Sequence, residues 1–74
     1  MKFKTEWRIS AWTWDGEEYI PAVIRNYELY EDAQRDFDGM NISNDMPQID
    51  ILRVDFVFDG CWQETGHILL DRKE

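Results

Sequence analysis

The stretch Trp12-Thr13-Trp14-Asp15-Gly16-Glu17-Glu18-Tyr19-Ile20 decides the fold of this chain, and Val57-Phe58-Asp59-Gly60-Cys61-Trp62 repeats its message near the other end. In each, an Asp-Gly step interrupts a run of aromatic and β-branched residues. Asp-Gly tolerates the positive φ angles of a tight hairpin turn. One segment of helical period lies between the two. The expected fold is therefore α+β with ββαββ order: two hairpins in a four-stranded, mainly antiparallel sheet, with one helix packed on one face.

Working outward from Asp15-Gly16, a two-residue turn places Trp14 opposite Glu17, Trp12 opposite Tyr19, Arg8 opposite Val23 and Glu6 opposite Arg25. The alternate face then pairs Ala11 with Ile20, Ile9 with Ala22 and Trp7 with Ile24. That second set is uniformly apolar and reads as the core face. The first set holds an ion pair and three aromatics and reads as the outer face. Pro21 cannot donate to a ladder, which makes the second strand an edge.

From about Glu28 to Met40 the period changes. Leu29, Ala33, Phe37 and Met40 form one stripe of an amphipathic helix. Asn26 is a candidate N-cap, and Gly39 can end the helix in a left-handed conformation. Glu28, Glu31 and Asp32 complement the positive end of the helix dipole, whereas Asp36 and Asp38 oppose its negative end. Residues 41–48 have loop composition. A third strand is expected over about 49–58 and a fourth over 62–70, with a fraying tail at 71–74. A two-residue turn at Asp59-Gly60 would set Asp55 against Glu64, an unfavourable pair. A longer turn through Cys61 or a bulge near Gly66 would relieve it.

At 74 residues the chain reads as one domain, residues 1–74, near the lower limit for a self-supporting core. Eleven aromatic residues, four of them Trp, supply much apolar area and argue against disorder. The net charge of −8 repels phosphate and disfavours direct nucleic-acid binding, while favouring basic partners. Cys61 is the one cysteine, so no internal disulfide can form and a reducing cytoplasm is the expected location. No apolar run reads as a membrane helix or signal segment.

Catalytic patterns are missing. His67 is the single His, and nothing marks a third group to orient it beside Cys61. The acids do not have calcium-loop spacing, Cys61 and His67 are too few for structural zinc, and no glycine motif cradles phosphate. No catalytic residue, metal site or cofactor is expected. Trp12, Trp14 and Tyr19, with Glu17 beside them, are instead expected on the uncovered sheet face as apolar anchors for a partner. Glu28, Glu31, Asp32, Asp36 and Asp38 are expected to steer a basic protein and compete with phosphate. Ordinary solvation of a charged helix face explains the same acids, and cross-strand stabilisation or a homodimer contact explains the same aromatics.

The Trp-rich Asp-Gly hairpin, the segment Y-E-D-A-Q-R-D-F-D (Tyr30 to Asp38), the segment M-P-Q-I-D-I-L (Met46 to Leu52) and the last Asp-Gly hairpin together resemble small acidic ββαββ proteins of phages and mobile elements. Some members of that group inhibit host nucleases or CRISPR effectors. The resemblance implies a non-enzymatic accessory protein that binds and blocks a basic, nucleic-acid-handling protein, and it carries over no functional residue. A small self-associating structural protein is the alternative.

Overall fold

A computed structural model describes all of residues 1–74. The elements run β1 (Lys2–Trp14), β2 (Tyr19–Tyr27), α1 (Tyr30–Gly39), β3 (Gln48–Phe58) and β4 (Trp62–Lys73). They build the expected α+β, ββαββ arrangement: one open antiparallel sheet in the order β2-β1-β3-β4, with one helix. The hairpins therefore join through their first strands, and Pro21 does lie on an edge. No helix is long and apolar enough to cross a membrane.

The core lies between α1 and the odd-numbered face of β1. Ile9 and Ala11 meet Ile49 and Ile51 of β3, and Ala33 and Phe37 close over them. Trp7, Val23, Tyr27, Met40 and Met46 ring this cluster. Ala33 has no bulk to hold the helix away, and Phe37 fills the space it leaves.

The first hairpin departs from the expected register. Asp15 Oδ1 accepts the N–H groups of Glu17 and Glu18, each at 2.8 Å, and the Asp15 N–H donates to the Glu18 carbonyl. The turn thus spans four residues, and Trp14 faces Tyr19 rather than Glu17. Trp12 faces Pro21, and a bulge at Ala22 brings Val23 opposite Ala11. Three side chains change face beyond the bulge: Ile24 leaves the helix side, and Val23 and Arg25 join it, whereas Ile20 keeps its face with a new partner. Ile24 stands opposite Ser10, away from the helix and 53% exposed, and Ile20 pairs with Thr13. The Glu6–Arg25 pair does not form; Glu6 takes Lys4 at 2.9 Å, and Arg25 lies opposite Ile9.

The helix begins at Tyr30, two residues later than the period implied. Leu29 is its N-cap in extended conformation and is 57% exposed, so it leaves the core stripe. Asn26 lies within β2, where its Oδ1 accepts from Arg8 Nε at 2.9 Å, and caps nothing. Gly39 is not left-handed. The helix stops because Met40, in extended conformation, donates its N–H to the Phe37 carbonyl.

Both devices anticipated for the second hairpin are present. Phe58 pairs with Trp62 across a three-residue turn with Gly60 at φ +80°, and a bulge at Thr65 moves Gly66 opposite Asp55. Only the last residue of the tail lies outside the sheet. Arg72 pairs with Asp50 and Lys73 with Ile49, and the Lys73 ammonium donates to carbonyls at the end of α1. Two polar anchors hold a segment that composition alone marks as loose.

Candidate functional site: the open face of the sheet

Pleat alternation assigns each side chain to the helix side or the open side. On β1, Lys2, Lys4, Glu6, Arg8, Ser10, Trp12 and Trp14 point away from the helix; their β3 neighbours run from Gln48 to Phe58 in even steps. Trp14 and Tyr19 meet edge to face with ring centroids 5.1 Å apart. Trp12 is on the same side, so the structure brings the three expected aromatics together at one end of the open face. Glu17 sits in the turn beside them.

Trp12 is also tied down by polar contact. Its indole N–H donates to Asp50 Oδ2 at 3.2 Å. Asp50 is a buried carboxylate, 4% exposed, on the side of the sheet that no helix covers. Arg72 reaches it with two donors, at 2.8 and 3.2 Å, and the Gln48 amide adds a third group. The Asp50 carboxylate in turn holds the Arg72 guanidinium above its ordinary pKa. Sequence reasoning missed this cluster. Its signal was an Asp between Ile49 and Ile51, which alternation aims away from the core.

The remaining charges on this face are paired as well. Arg8 bridges Asn26 and Glu64, the latter at 3.3 Å, and His67 Nδ1 lies 3.6 Å from Glu64. The Lys4 ammonium pairs with Glu6 and lies over the rings of Phe56 and Trp62 at 5.2 and 4.5 Å. Lys2 lies over Phe58, which meets Trp62 edge to face. An open groove of about 290 Å³ runs between Arg8, Trp12, Ile24, Asp50, Leu52 and His67. That is the lower edge of small-molecule pocket sizes, roughly 300–1,000 Å³.

The expected acidic residues lie elsewhere. Glu28 precedes α1, and Glu31, Asp32, Asp36 and Asp38 are on it, across the sheet from the aromatics. Asp32 pairs with Arg35 at 2.9 Å, and Asp38 accepts from Gln34. Asp55, on the same side of the sheet, is held below the usual carboxylate range chiefly by the Thr5 hydroxyl at 2.8 Å, with Arg53 adding to it. Asp15 is likewise lowered, by the Glu18 and Glu17 N–H groups. The Tyr27 hydroxyl is buried without a partner at hydrogen-bonding geometry. Burial pushes its pKa up, and Asp36 pushes it further against a smaller opposing effect of Arg25.

The two halves of the expected site thus occupy opposite faces, and no flat partner touches both. The open face sets Lys2, Lys4, Arg8 and Arg72 against Glu6, Asp50 and Glu64. The helix side sets Arg25, Arg35, Arg53 and Lys73 against twice as many carboxylates, the helix acids together with Asp45, Asp55 and Asp71. Within the sheet and helix, charge is segregated by face; the other five carboxylates, Asp15, Glu17, Glu18, Asp59 and Glu74, lie in the two hairpin turns and at the last residue. No group of three or more His, Cys, Asp or Glu is arranged to hold a metal ion. Compared with protein-family models, curated proteins and solved structures, the chain matches none.

Proposed function

We propose that this chain is a non-enzymatic, cytoplasmic interaction module that binds a basic, nucleic-acid-handling protein and covers its phosphate-binding surface, as an accessory protein of a phage or mobile element would. The observation that carries the reading is the segregation of charge. The negative excess of the body of the sheet and helix lies on the α1 side, where Glu28, Glu31, Asp36 and Asp38 are exposed or half-buried without a cation paired to them. Such a surface attracts a basic groove at long range and repels nucleic acid. Asp36 and Asp38 also oppose the helix dipole, at a cost of about 0.3–1 kcal/mol each. A surface kept negative against local stability fits a role in recognition.

The test is capture from a bacterial lysate on immobilised protein, with mass spectrometry of what is retained. A basic nuclease or other nucleic-acid-binding protein should be held at low salt, released by high salt, and displaced by added double-stranded DNA. A Glu28→Gln/Asp36→Asn/Asp38→Asn variant should hold it far less while keeping full stability, because two of its changes relieve the dipole conflict. Retention indifferent to salt, DNA and these substitutions would overturn the proposal.

A further inference from the structure

We infer that two copies of this chain associate through their open sheet faces, forming a two-sheet sandwich with both acidic helices outward. This goes beyond the proposed function and does not depend on it. Two like proteins of charge −8 repel each other wherever their negative surfaces meet. The open face is where that repulsion is least. Its ion pairs Lys4–Glu6, Arg8–Glu64 and Arg72–Asp50 close within one copy, and Lys2 rests on a ring. Charges paired before association leave little uncompensated charge to desolvate when the face is covered.

The same face offers apolar area that nothing in one copy covers. Trp14 is 54% exposed, Tyr19 56%, Ile24 53%, Leu69 44% and Trp62 40%. These residues spread over three of the four strands, from the first turn to the second. The molecule measures 43 × 29 × 15 Å, so each broad face exceeds the roughly 800 Å² per partner of a standard stable interface. Only nine of 74 residues are buried in one copy, and six of those form the cluster under the helix. A sheet with one apolar layer under a helix and a second left open gains its other layer from an identical sheet. A two-fold axis between the sheets makes that contact self-complementary.

Sedimentation equilibrium of the purified chain over a wide concentration range tests this. The wild type should reach twice the 9.0 kDa chain mass. Association should tighten as salt rises, because salt screens the net repulsion; binding of a basic partner responds in the opposite sense. Ile24→Lys and Leu69→Lys, on different strands, should each return the chain to a monomer with an unchanged circular dichroism spectrum. Ile68→Lys, 55% exposed on the same edge strand but pointing to the helix side, should leave the dimer intact. A concentration-independent monomer would overturn the inference. So would a dimer broken by Ile68→Lys and not by Ile24→Lys, which is the signature of edge-to-edge pairing.

Discussion

Removing Arg72 should cost the fold more than removing Asp50, although the two form one ion pair. The Asp50 side chain is 5% exposed and that of Arg72 is 41%. Alanine at position 72 leaves a buried carboxylate with only the Trp12 indole and the Gln48 amide as donors. Breaking a buried pair in that direction costs about 3–5 kcal/mol. Alanine at position 50 leaves a guanidinium that is already partly hydrated and can turn to water. Its main loss is the acceptor of the Trp12 N–H, and one stranded donor costs about 1–3 kcal/mol. Total stability for a chain of this length is roughly 4–11 kcal/mol, at about 0.05–0.15 kcal/mol per residue. Arg72→Ala therefore removes a large share of it. Urea unfolding followed by far-ultraviolet circular dichroism reads the difference: with a slope near 1 kcal/mol/M, the two midpoints should lie about 2 M apart. Adding Asp50→Asn to Arg72→Ala should recover part of the loss, because a neutral amide is cheaper to bury unpaired. An Asp50→Ala variant less stable than Arg72→Ala, or no recovery in the double variant, would refute the reasoning.

Phe37→Ala should cost about 3–5 kcal/mol, since Phe37 is 1% exposed at the centre of the core, whereas Leu29→Ala, at an exposed cap, should stay within about 0.5 kcal/mol; thermal unfolding separates them. Tyr27 should ionise above the ordinary tyrosine value of 10.0, as an ultraviolet absorbance titration would read. Because its native pKa lies above the ordinary value of 10.0, its stabilisation is whole below that pH and is lost as pH rises through the native value. Tyr27→Phe, which removes an unpartnered buried hydroxyl, should leave neutral-pH stability equal or higher. The Asp55 stabilisation runs the other way: its native pKa is lowered, so the contribution is present above 3.8 and lost as pH falls through the native value. Thr5→Val should move the Asp55 midpoint, read by NMR titration, upward toward 3.8.

Sequence pattern reached the architecture because both Asp-Gly steps do turn the chain, with Gly16 at φ +108° and Gly60 at φ +80°. Period then separated α1 from the strands, and the core positions Ile9, Ala11, Ala33 and Phe37 follow from it. What pattern could not show was set by single contacts. The Asp15 carboxylate captures two backbone N–H groups and enlarges the first turn, a two-residue shift that keeps each side chain on its face. The bulge at Ala22, just after Pro21, adds one more residue and carries Ile24 from the expected core face to the open one. The Arg72–Asp50 pair joins residues 22 apart in sequence, and no local pattern reports it. The site was half legible for a related reason. Alternation, with the apolar set taken as the core face, places Trp12, Trp14 and Tyr19 on the face the helix leaves open, but it does not report the Asp50–Arg72 cluster that ties Trp12 down there.

Capturing a basic partner with two sets of variants, one per face, is the most direct test of a two-faced protein. Glu28→Gln/Asp36→Asn/Asp38→Asn neutralises the helix side, and Ile24→Lys with Leu69→Lys disrupts the open face. We expect the helix-side variant to lose the partner while the open-face variant, now monomeric, still holds it through its unaltered α1 surface. Loss of the partner only in the open-face variant would contradict the division of labour and return the aromatic face to partner binding.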